Sequence, residues 1–197
     1  MPDKIGEVIE ASTGQFVAEC YELHSPPPLG SLVKTSDGDV EIYGVVCNAA
    51  TESIEPNRRP IARGREEATE EGIYRQNPQL SKLLRTTFDI LIIGHSVGAR
   101  RAVPLHYLPP HPPRVHSFVY LCENDEVRRF TQSLDFLPIL LNVRTGTVDE
   151  IVSACLRQAS CAHDNKRAFL VKAGKELAVL LSADLNRLNA ILRRIRA

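Results

Sequence analysis

Phe88 to Tyr107 reads FDILIIGHSVGARRAVPLHY, and the path of the chain past Gly98 decides the class of fold. The apolar run Ile90 to Ile93 is a strand, and Gly94-His95-Ser96-Val97-Gly98 matches the G-x-S-x-G pattern of a nucleophile elbow. That chemistry needs a strained strand-to-helix turn, which lifts the serine hydroxyl to a histidine and sets helix amides behind the oxyanion. Pro104 falls soon after, where a helix-interior proline costs about 3 kcal/mol or more. Upstream there is no His-Gly-type loop for a second oxyanion donor, and past Leu121 the only histidine is His163. The other reading is two strands joined by a Gly-containing turn, forming the closing hairpin of a small β-barrel. We adopt the hairpin and keep a serine hydrolase using Ser96 as the alternative.

Residues 4–49 support a barrel. Ile5, Val8 and Ile9 open one strand, and Ser12-Thr13-Gly14 is a turn. Phe16, Val17, Ala18, Cys20 and Tyr21 make the second strand. Pro26-Pro27-Pro28 lacks three consecutive N–H donors, so it is a connection. Leu32 and Val33 lie in a third strand. Asp37-Gly38 then turns into a fourth, which carries Val40, Ile42, Val45 and Val46. Gly6, Gly30 and Gly44 suit a tightly curved sheet.

Between residues 51 and 86 the composition turns polar. Arg58, Arg59, Arg63 and Arg65 precede Glu66, Glu67, Glu70 and Glu71, an order that favours internal pairing with a short helix starting near Arg65. The arginines are the candidate partner contacts. Asn77-Pro78 has the form of a helix start, with Leu80, Leu83 and Leu84 on one apolar face. Farther on, Pro109-Pro110 and Pro112-Pro113 make a stiff connector, and Val115 to Leu121 a strand. Asn124 or Asp125 caps a helix through Phe130, and Leu134 to Val143 is buried. Thr147 and Glu150 form a capping box for a helix over 148–160, and one long helix follows from Asn165 to Arg196, its stripe interrupted at Gly174 and Asp184. The expected fold is therefore α+β: a small antiparallel β-barrel over 1–108 with the polar insertion 51–86, a linker with a strand and helix over 109–143, and a helical region over 144–197.

The pattern Ile5-Gly6-x-Val8, Gly30-x-x-Val33 and Ile42-Tyr43-Gly44-Val45-Val46 resembles the HAS-barrel, the N-terminal β-barrel of HerA-type ATPases and of ATP-synthase catalytic subunits. Leu108-Pro109-Pro110, then Phe118-Val119-Tyr120 and Glu126, resembles the segment where HerA-type chains leave that barrel. Stand-alone HAS-barrel proteins of cyanobacteria are similar over a longer stretch. The resemblance implies a barrel that packs on neighbouring subunits or docks a partner. It does not carry over ATP hydrolysis, because no G-x-x-x-x-G-K-[ST] loop is present to cradle phosphates.

Remaining motifs point the same way. His95, His106, His111 and His116 cluster in sequence, but no pair has helical i, i+4 spacing, and Cys155, Cys161 and His163 match no common zinc pattern, so no metal and no cofactor is expected. Lys, Arg, Asp and Glu balance to zero net charge, so nothing global recruits nucleic acid; Arg187, Arg193, Arg194 and Arg196 complement a helix dipole and are the place where nucleic acid would touch. The cysteines, odd in number and without a C-x-x-C pair, suit a reducing cytoplasm, and no apolar run reaches the about 20 residues of a membrane span. The expected function is a non-catalytic protein-binding or assembly module that engages a protein partner or itself. An accessory nucleic-acid factor is a further alternative.

Overall fold

The computed structural model describes residues 4–55, 59–98, 103–143 and 146–196. Six strands close into one antiparallel barrel: β1 (Lys4–Ala11), β2 (Gln15–Cys20), β3 (Leu32–Asp37), β4 (Val40–Ser53), β5 (Leu84–Val97) and β6 (Phe118–Leu121). Around the barrel their order is β1-β2-β5-β4-β3-β6, with β6 returning to β1. Helices α1 (Glu70–Gln76) and α2 (Leu80–Leu83) cap the far end of the β4–β5 ribbon. Helices α3 (Asn124–Phe130), α4 (Leu137–Leu141), α5 (Val148–Ala162), α6 (Lys166–Leu180) and α7 (Leu185–Ile195) follow the last strand. The fold is α+β, a small antiparallel barrel with a helical C-terminal region, as the sequence indicates. None of the described helices is long and apolar enough to cross a membrane.

Curvature is localised. The register shifts at Gly6 in the β1–β6 pair and at Gly44 in the β4–β5 pair, so a bulge bends the sheet where no side chain resists it. Val8, Phe16, Val33, Ile42, Phe88 and Ile92 meet inside, and each is at most 1 % exposed. The barrel interior is thus a packed core. A second core forms outside, where Tyr43, Val45, Leu91 and Ile93 of β4 and β5 pack on Phe130, Phe136, Leu140, Val152 and Leu156 of the helical region. Gly30 at φ +83° sits at this junction. A Cβ there would stand 2.4 Å from the α5 backbone at Ala154 and Cys155, so only glycine lets barrel and helix meet.

The structure departs from expectation in several places. The chain does double back after Gly98, since His95 and Leu105 exchange two backbone hydrogen bonds, but the return arm is a single bridge. Pro104 has no N–H to extend that ladder, and the strand that closes the barrel is β6. The insertion helix begins at Glu70, where the Thr69 hydroxyl accepts from the Gly72 amide; Asn77 ends this helix instead of starting the next. Thr147 makes no side-chain cap because its ψ of 10° is not the extended backbone a cap needs. The true capping box is Glu123 with Glu126 at the start of α3. The long last helix divides into α6 and α7, and Asp184 caps the second by accepting from the Arg187 amide.

Candidate functional site

The nucleophile candidate lies in the wall between barrel and helices. Ser96 is inside β5, opposite Glu41 of β4, and is 2 % exposed. Its hydroxyl lies beside that of Tyr43, which donates to Glu41 Oε2 at 3.0 Å. Glu41 Oε1 stands 3.5 Å from Lys34 Nζ, and Lys34 also pairs with Glu126 of α3. These residues form one polar chain from Ser96 to the first turn of α3. Burial pulls the Lys34 ammonium down, yet the hydrogen bond and charge of Glu126, with the charge of Glu41, outweigh it and leave the lysine raised. Burial beside Glu41 pushes the Tyr43 phenol up. Lys34 is thus held charged and Tyr43 neutral at neutral pH.

What surrounds Ser96 is antiparallel sheet, not a strand running into a helix. The neighbouring His95 donates from Nδ1 to the Tyr107 carbonyl at 3.1 Å, and a Cβ on Gly94 would collide with the Leu105 carbonyl at 2.5 Å. His163 is engaged elsewhere: Thr131 gives its hydroxyl proton to the Val127 carbonyl, so its oxygen accepts from His163 Nε2 at 2.8 Å. That bond ties the end of α3 to the end of α5, and it aligns no base with Ser96.

The remaining histidines are dispersed. His106 donates from Nε2 to the Phe130 carbonyl at 3.0 Å, and its ring lies against Phe130 and Phe136. His116 contacts Glu7 at 2.5 Å across the β1–β6 seam, and this bond with that of Tyr21 lowers the Glu7 carboxyl. His24, at φ +65°, touches the Tyr74 hydroxyl at 2.6 Å and pins α1 to the barrel. Among the described residues no three His, Cys, Asp or Glu side chains are placed to hold a metal ion. Burial lifts the Cys155 thiol to about 12 and the Cys122 thiol well above its ordinary value, so these cysteines behave as small apolar side chains.

Of the four arginines of the insertion, Arg58 lies outside the described residues. Arg59 and Arg63 come together at a pocket of about 300 Å³ whose floor is Ile61, Leu80, Leu83 and Leu84. Arg65 does not line it. Arg63 also donates to Asn77 Oδ1 at 3.1 Å. The charges here are visible in the sequence but their apolar floor is not, because α2 is only four residues long and its leucines read as the face of a longer helix.

No protein-family model matches the chain, and no curated protein matches it.

Proposed function

We propose that the protein is a non-catalytic binding or assembly module built on a HAS-like barrel, with no ATPase activity of its own. The observation that carries this reading is the asymmetry of the barrel wall. The β3, β4 and β5 side is covered by its own helices, while the β2, β1 and β6 side leaves Tyr21 51 % and Phe118 41 % exposed. A side-chain-filled interior supports use of the outer wall instead of a cavity inside. The closed six-strand barrel is compatible with the HAS resemblance, and the absent phosphate loop argues against nucleotide hydrolysis.

Light scattering on the purified chain, together with affinity capture from its native cell, tests this. Association with itself or recovery of a stoichiometric protein partner is the expected result. A lone monomer that captures nothing would overturn the reading.

A further inference from the structure

Charge is segregated along this neutral chain. Residues 4–55 hold nine acidic and two basic side chains, whereas residues 166–196 hold eight basic and two acidic ones. The acidic part supplies the uncovered barrel wall. Glu7 and Glu19 are direct partners in the β1–β2 pair, and each alternates with a buried neighbour, so both point outward. Like charges placed opposite one another work against a sheet. Folding gains nothing from that pair. Glu10 continues the same wall towards the turn and is exposed.

The basic part ends in helices that leave one face bare. Helix α6 buries only Phe169, Ala173 and Leu177 and packs on α5 and α7. On its far side Arg167, Val171, Lys175 and Val179 recur every fourth residue and are all exposed, Val171 at 51 % and Val179 at 71 %. Neither Arg167 nor Lys175 has an acidic partner among the described residues. The spacings are of the same order. Eight residues of helix set these two cations about 12 Å apart, and Glu10, which pairs with Val17, stands two residues along and one strand across from Glu19, about 8 Å from it.

Resting on the assembly reading above, we infer that the protein associates head to tail with a second copy of itself, the α6 stripe of one copy seated on the β1–β2 wall of the next. The valines fill the apolar part of that wall, beside Val17 and Tyr21, and the two cations neutralise Glu10 and Glu19. The two faces differ, so the contact is heterologous and propagates into a ring or a filament, not a closed two-fold dimer.

The test is charge reversal with complementation, read by sedimentation velocity in low and high salt. Arg167→Glu with Lys175→Glu gives one full-length variant; Glu10→Lys with Glu19→Lys gives the other. All four positions are at the surface, and circular dichroism verifies folding. Wild type is expected to associate, with affinity falling at least about tenfold in high salt. Each variant alone is expected to be monomeric, and an equimolar mixture to associate again. Wild-type monomer, or association indifferent to salt and to either reversal, overturns the inference. In the second case the assembly reading survives through a different surface; in the first it stands or falls on capture of another protein. If the α6 reversal abolishes binding to a short DNA duplex but leaves self-association unchanged, the stripe faces nucleic acid and the inference is likewise overturned.

Discussion

At the scale of single residues, the barrel interior has one polar flaw among the described residues. Thr35 shares the inward face of β3 with Val33, is 1 % exposed, and its hydroxyl has no hydrogen-bond partner. An unsatisfied buried hydroxyl costs about 1–3 kcal/mol, and valine has nearly the same shape. Thr35→Val should therefore stabilise the protein by about 1 kcal/mol, seen as a higher denaturant midpoint with an unchanged slope. Lys34 presents the opposite case. Its ammonium is held between two carboxylates, Glu41 and Glu126, and removing it leaves them facing each other with little solvent. Lys34→Met should cost about 3 kcal/mol at pH 7 by denaturant unfolding, and clearly less when Glu41→Gln is added, which removes one of the facing charges. An equal loss with and without Glu41→Gln would show that the methionine fails by packing and not by charge.

At the scale of elements, strand composition reports which side of the barrel is covered. Ile90 to Ile93 and Val45-Val46 are unbroken apolar runs because β5 and β4 have a core on each face. In β1 and β2, Glu7 and Glu19 alternate with buried neighbours because only one face is inside. The barrel and its four N-terminal strands were legible on this basis, together with the turns at Gly14 and Gly38. The closing strand was less so, since Phe118–Leu121 is short and pairs with β1 and β3, both more than eighty residues away in sequence. The polar chain from Ser96 to Glu126 was not legible at all: its members come from three strands and a helix, and no local spacing connects them. Helix ends turn on backbone angles that sequence does not display. Thr147 has the residue type of a cap without the bond, whereas Asp184, read as an interruption of one helix, starts another. Asp184→Ala should cost about 1 kcal/mol and Thr147→Ala close to nothing, measured by thermal unfolding of each variant. Equal costs would mean that the hydroxyl of Thr147 caps α5 after all.

At the scale of the whole molecule, barrel and helices share one core, and His106 stands where they join. Its ring packs on Phe130 of α3 and on Phe136, while Leu105 beside it bridges to β5. Burial lowers its pKa below 6.5, only partly offset by the Phe130 carbonyl and the charge of Asp135. His163 is lowered likewise, first by burial and then by Arg128 and Lys172. The unfolded chain protonates both rings near pH 6.5, while the folded chain resists until a lower pH. Below about 6.5 the unfolded state thus binds more protons, so the stability these neutral rings allow is complete above that pH and declines as acid is added. Since the ring lies at the common core, the loss should strike barrel and helices together. Hydrogen exchange should accelerate in parallel in β5 and α5 between pH 7 and pH 5.5, once corrected for its intrinsic pH dependence. His106→Gln, which keeps a donor for the Phe130 carbonyl without a titrating ring, should flatten part of that decline. A barrel that keeps its protection while α5 opens would mean that the two parts unfold as separate units and that His106 does not couple them.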